Sequence, residues 1–130
     1  MSQENVDLVR SAYDDFNGGN FDGVLARLDA DVEWIEPGGG KAPSGTFRGP
    51  DSVANDVFAT VGENFDEFTV EIENTRDEGD TVVVTSHFKG KRKSGAELDA
   101  PAEQVWEVRN GKIVRLENKP DQEAWTQGWS

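Results

Sequence analysis

Cysteine is absent from this 130-residue chain. Its absence excludes a disulfide scaffold, a zinc–thiolate site and a cysteine nucleophile. Histidine occurs once, at His87, so a histidine-rich metal site is out of reach as well. No apolar run approaches the roughly 20 residues that span a bilayer. The opening MSQENVDLVR has no basic stretch followed by an apolar one, so no signal peptide is read and a cytoplasmic location is expected. Basic residues are scarce: 13 Lys and Arg face 26 Asp and Glu, for a net charge of −13. A surface of that sign repels phosphate backbones, so nucleic acid is not an expected partner. The acidic excess suits either ordinary solubility or adaptation to high salt, where screening removes the self-repulsion. P-loop, GxGxxG, GxSxG and HExxH motifs are all missing, and neither a nucleotide cofactor nor a metal is expected.

What is present reads as periodicity. Val6, Val9, Tyr13 and Phe16, with Leu8 and Ala12 beside them, have helical spacing. Asn17-Gly18-Gly19 ends that helix. A second short helix is predicted over 21–28, with Phe21, Val24, Leu25 and Leu28 on one face. Residues 31–36 alternate as a strand does, placing Val32, Trp34 and Glu36 on one side. Residues 37–50 hold five glycines and three prolines and read as a loop, with a short strand near Thr46-Phe47. Pro50 and Asp51 open a third helix with Val53, Val57, Phe58 and Val61 inward. The remainder is mostly β: 68–75, 81–88, and a hairpin of 102–108 with 112–118 about Asn110-Gly111. The basic cluster Lys89, Lys91, Arg92 and Lys93 reads as a solvated turn. Residues 121–129 form a short terminal helix or coil bearing Trp125 and Trp129. Helices first and a meander after predict one α+β domain over 1–130, with three N-terminal helices packed on a curved antiparallel sheet.

The hairpin also predicts faces. A two-residue turn pairs Val108 with Ile113, Val105 with Leu116 and Glu103 with Asn118. One face then holds Glu103, Val105, Leu116 and Asn118, and the other Trp106, Val108, Ile113 and Arg115. Both carry apolar residues, which a sheet with one solvated face would not. The second face is therefore expected to meet a second copy of the chain through Trp106, Val108 and Ile113.

The opening ENVDLVRSAYDDFNGGNFDGVLARLDADVEWIEP and the ending VWEVRNGKIVRLENKPDQEAW resemble SnoaL-like and ketosteroid-isomerase-like proteins of the wider NTF2-like superfamily. The shared features are two helices joined by Asn17-Gly18-Gly19-Asn20, a strand beginning Asp31-Val32-Glu33-Trp34, an Asn110-Gly111-Lys112-Ile113 turn, and a closing aspartate. The resemblance covers nearly the whole chain and is weakest over 37–50. It implies an α+β cone with an apolar pocket between helices and sheet, and a dimer through the convex sheet face. The family includes isomerases, cyclases, hydrolases, dehydratases and non-catalytic binders. The reading is thus a small-molecule pocket, either for cofactor-free proton transfer on a small apolar or cyclic substrate or for passive binding of an apolar ligand.

The resemblance places Glu36, followed by Pro37, where steroid isomerases hold their base carboxylate; the alternative is an exposed strand-end glutamate. Glu103 matches the carboxyl that those enzymes keep neutral to hydrogen-bond a developing oxyanion, the alternative being a structural bond to Asn118. The isomerase tyrosine aligns with Ala12, so Tyr13 is displaced by about 100° around the helix. Tyr13 either reaches the cavity edge or is a core residue. Asp121 fits an acid/base aspartate of the cyclase branch, or else caps the terminal helix. Asn118 is expected to face the cavity. Phe16, Trp34, Phe58, Val84 and Leu116 are its expected walls. His87 falls on the convex side, as a structural or interface residue.

Overall fold

A computed structural model describes residues 2–130. Helix α1 (Ser2–Asn17) and α2 (Phe21–Ala26) precede strand β1 (Leu28–Pro37) and the short β2 (Ser44–Arg48). A continuous helical segment follows: α3 (Pro50–Ser52), a π-helical stretch (Val53–Phe58) and α4 (Ala59–Asn64). Four long strands complete the sheet, β3 (Phe65–Glu78), β4 (Thr81–Arg92), β5 (Glu97–Arg109) and β6 (Lys112–Pro120), and α5 (Gln122–Gly128) closes the chain.

The sheet order is β2-β1-β6-β5-β4-β3. All neighbours are antiparallel except β1 and β6, which run parallel. The expectation of a wholly antiparallel sheet is corrected at that one pair. Register shifts interrupt β3 twice, the β1–β6 pairing once and the β5–β6 pairing once. Such bulges bend strands and raise local twist, which is how one open sheet curves around a core.

Helix α1 packs on β3 and buries Val6, Val9, Ala12 and Tyr13, the spacing read from the sequence. The Asn17 side chain donates to the Val70 carbonyl and accepts from the Val70 N–H, both at 2.9 Å, and so ties the end of α1 to β3. Helix α2 is capped by Asn20, which accepts from Gly23 N at 3.1 Å. It stops two residues short of the predicted Leu28. Leu28 is buried because it starts β1 beside Ile113, not because it lies on a helix face. In the helical segment 50–64, Val53, Val57, Phe58 and Val61 all turn inward as expected. Each fully buried valine, Val9 and Val53 among them, stabilises the fold by about 1.5–3 kcal/mol relative to exposure.

Two sequence expectations fail here. Arg92 belongs to β4 and is buried: its guanidinium donates to the Gly128 carbonyl at 3.3 Å and sits 5.6 Å from the Phe65 ring. The turn itself falls at residues 93–96, and residues 89–92 are strand. The hairpin register fails as well, and this matters more. Asn110 and Gly111 adopt positive φ, 53° and 75°; Arg109 pairs with Lys112, and Val108 with Ile113 as predicted. A bulge then intervenes, and Glu107 meets Arg115, leaving Val114 as the extra residue. Beyond it Trp106 faces Leu116, Gln104 faces Asn118 and Glu103 faces Lys119. A one-residue slip moves side chains to the opposite face. Trp106 therefore joins Leu116 and Asn118 on the inner face, while Glu103 moves to the outer face, half-buried. The expected interface residues Trp106, Val108 and Ile113 are 4 %, 1 % and 0 % exposed within the single chain and belong to its own core.

Candidate functional site

The inner face of the sheet, α1, the π-helical stretch and α5 enclose a cavity of about 80 Å³. Pockets for drug-sized ligands run to roughly 300–1,000 Å³, so this space suits a compact molecule. Nine of its nineteen lining residues are aromatic. Phe16 meets Phe58 and Phe68 edge to face, and Trp34 packs perpendicular to both Phe58 and Trp106 with centroids 5.6 and 5.7 Å away. Phe58 reaches this wall from the π-helical stretch, a local geometry that is frequent at functional sites.

One polar network crosses the apolar wall. Trp106 Nε1 donates to the Tyr13 hydroxyl at 2.9 Å, and that hydroxyl donates to Gln104 Oε1 at 2.7 Å. Ser86 Oγ donates to the same Gln104 oxygen at 2.7 Å. Gln104 Nε2 donates to Asn118 Oδ1 at 3.0 Å, and Asn118 Nδ2 donates to Glu36 Oε1 at 3.0 Å. Trp34 Nε1 donates to Glu36 Oε2 at 2.6 Å. Every link from Trp106 to Glu36 points the same way, donor to acceptor, and ends on the carboxylate. A chain so polarised strengthens its terminal bonds in a low-dielectric interior.

Strand alternation sets these positions. Trp34 and Glu36 share one side of β1, as expected, and Val84, Ser86 and Phe88 share one side of β4. Along β5 the buried positions are Leu98, Ala100, Ala102, Gln104, Trp106 and Val108. Gln104 is the polar member of that run, and it hydrogen-bonds to three side chains, which is what a buried amide requires.

Burial dominates the electrostatics. It pushes the Glu36 carboxyl from 4.5 up to about 7, against the opposing hydrogen bonds from Asn118 and Trp34. Burial also pushes the Tyr13 phenol up, so it stays neutral and can donate. Each Glu36 oxygen accepts one bond from the protein. A carboxylate has about four lone-pair sites, so capacity remains for a proton from a bound molecule. Among the described residues no three His, Cys, Asp or Glu side chains cluster as metal ligands.

The predicted site residues divide. Glu36, Tyr13, Phe16, Trp34, Phe58, Leu116 and Asn118 all border the cavity. Val84 lies on the inner face and is wholly buried, but it does not border the open space. Glu103 is carried to the outer face by the bulge and cannot act inside. Asp121 is exposed and caps α5, its carboxylate accepting from Ala124 N at 3.0 Å. That is the capping alternative, and it removes Asp121 from the chemistry. His87 sits on the outer face against Asp99.

The sequence reading missed Gln104, Ser86, Trp106, Trp125 and Trp129. The alternation of apolar residues beginning at Leu98, upstream of the strand as predicted, would have placed Gln104 and Trp106 inward. For the two α5 tryptophans only their size and position gave a signal. Trp125 and Trp129 reach the cavity because α5 folds back over its end. There the Gln122 amide donates to the Gly38 carbonyl at 3.3 Å, and Lys41 N donates to the Trp129 carbonyl at 2.8 Å.

Known structures share this architecture. An NTF2-like protein of unknown function from Burkholderia pseudomallei superposes with a TM-score of 0.90 at 26 % identity, over 98 % of both chains. An NTF2-like protein from Burkholderia thailandensis gives 0.87 at 27 % identity over 95 % of both. TerC, co-crystallised with polyporic acid, gives 0.88 at 23 % identity over 97 % of this chain and 98 % of its own, a likeness of fold. No protein of curated function matches in sequence. Among the described residues no helix is long and apolar enough to cross a membrane. The pattern of the SnoaL-like domain matches residues 9–116, and the chain belongs to that family of NTF2-like proteins.

Proposed function

We propose that the cavity binds a small apolar or cyclic molecule and that Glu36 acts on it as a general base, in cofactor-free proton transfer of the isomerase, cyclase or hydratase type. The observation that carries this reading is Glu36 itself. It is a buried carboxyl at the edge of an apolar cavity, pushed up to about 7 by burial and held by Asn118 and Trp34. A base with a pKa near the operating pH combines a useful ionised fraction with a real affinity for the proton. Asn118 and Gln104 act through Glu36 and are positioning residues. Tyr13 spends its proton on Gln104, so its role is to anchor the network. TerC, with the same fold, has been co-crystallised with a small molecule. That supports a cavity built for ligands and does not specify a reaction.

The test is a carboxyl titration by NMR of wild type and Glu36→Gln, with and without a library of small cyclic compounds. A carboxyl titrating near 7, lost in Glu36→Gln and moved by a bound compound, is the expected result. An ordinary carboxylate value at Glu36 with binding intact would leave a passive ligand carrier as the better account.

A further inference from the structure

Of the nineteen described residues that border the cavity, seventeen are buried. The other two are Phe16, in the last turn of α1, and Phe68, near the start of β3, and both are half-exposed. Their rings meet edge to face, with centroids 5.8 Å apart and planes at 73°. Each also rests on a buried ring of the wall: Phe16 lies 5.6 Å from Phe58, and Phe68 lies 5.7 Å from Phe88. The lining of the cavity thus comes into contact with solvent at this pair.

The backbone around the pair is pinned. Asn17, next to Phe16, exchanges two hydrogen bonds of 2.9 Å with the backbone of Val70, two residues beyond Phe68 on the same side of β3. The end of α1 and β3 cannot part there without breaking both bonds. A passage between them opens instead by rotation of side chains, which is fast for rings at a surface and slow inside a close-packed wall. The other end of the cavity is closed by α5. Opening it would expose Trp125 and Trp129, both buried, and would break the bonds from Lys41 N to the Trp129 carbonyl at 2.8 Å and from Arg92 to the Gly128 carbonyl at 3.3 Å.

We propose that Phe16 and Phe68 form the entrance of the cavity and set the breadth of the molecule it admits, so that a compact, flat, uncharged molecule passes and a broader one is held back. This rests on the reading of the cavity as a small-molecule site and names where its ligand enters. Both rings are hydrocarbon, so an ion would shed its water at the entrance without replacement, which is costly.

The four tryptophans all border the cavity and are buried, so their fluorescence reports what comes in. Two neutral quenchers of different breadth are compared: acrylamide, and succinimide, a five-membered ring. The chain has no cysteine for acrylamide to alkylate. Bimolecular quenching constants are measured for wild type, Phe16→Ala, Phe68→Ala and Leu116→Ala. The last enlarges the cavity from β6 and leaves both entrance rings in place. Wild type is expected to favour acrylamide over succinimide. Phe16→Ala and Phe68→Ala should each raise succinimide quenching at least about tenfold, a barrier lower by about 1.4 kcal/mol. Leu116→Ala should stay at the wild-type level. Where an alanine variant does not fold, the leucine variant at that position replaces it, with a smaller rise expected.

No rise in the entrance variants, or an equal rise in Leu116→Ala, would overturn the proposal. Neither result touches the small-molecule reading, which is followed separately through the Leu116 methyl signals of wild type with cyclopentene. Failure of cyclopentene to move those signals near aqueous saturation would overturn that reading and leave the quenching result standing.

Discussion

Gln104 stands directly opposite Asn118 across β5 and β6, and its side-chain amide donates to the Asn118 carbonyl at 3.0 Å. The pair joins a phenol on the first helix to a carboxylate on the first strand. Replacing Gln104 by Leu keeps the volume similar and leaves the Tyr13 hydroxyl, the Ser86 hydroxyl and the Asn118 carbonyl without their partner. Each unpaired buried group costs about 1–3 kcal/mol. Gln104→Leu is expected to lower unfolding stability by about 3 kcal/mol or more in urea, and by less if water enters. A change under about 0.5 kcal/mol, ordinary for a surface site, would mean the network is idle.

The neighbouring residue makes the contrast. Glu103 lies on the outer face opposite Lys119, half-buried, so Glu103→Gln is expected to stay within about 0.5 kcal/mol of wild type. It should also leave ligand affinity unchanged. A tenfold loss of binding in Glu103→Gln would show that β5 faces the other way.

Trp106 tests the same register through packing. With its ring 5.5 Å from Tyr13 and 5.7 Å from Trp34, Trp106→Ala removes the centre of the aromatic wall. The expected cost is about 3–5 kcal/mol, measured by thermal or denaturant unfolding. A tryptophan on an outer sheet face would cost far less.

For a reaction that uses Glu36 as its base, the Glu36 shift makes stability and rate run oppositely with pH. The folded-state value, about 7, exceeds the ordinary 4.5, so between them the native state holds a proton that the unfolded chain has released. Stability from this group is complete below about 4.5 and is lost as pH rises through about 7, by a total on the order of 3 kcal/mol. A reaction that uses Glu36 as base should instead speed up as pH rises through about 7 and then level off. Unfolding free energies from pH 4 to 9 should fall for wild type, and Glu36→Gln should flatten that part of the curve. The same slope in both proteins would place the titration elsewhere.

Much of this architecture was legible from short-range pattern. Val6, Val9 and Tyr13 are spaced for a helix, and Asn110-Gly111 can adopt the positive φ values that a tight hairpin needs. Val32, Trp34 and Glu36 alternate, which put the carboxyl on the same side as the tryptophan that now holds it. These features depend on residues within a few positions of one another, so the amino-acid sequence by itself determined them. The bulge at Val114 is of another kind. Strand β6 must satisfy β5 on one side and β1 on the other, and its pairing with β1 is also irregular, passing from Leu28–Ile113 to Glu33–Arg115. No local signal states that double fit, and a hairpin read alone runs straight through it. Only the tertiary structure decided that Gln104 and Trp106 face inward and Glu103 outward, and that Trp125 and Trp129 border the cavity. Those positions follow from pairing and packing between segments far apart in the chain, where one residue of slip reverses a face.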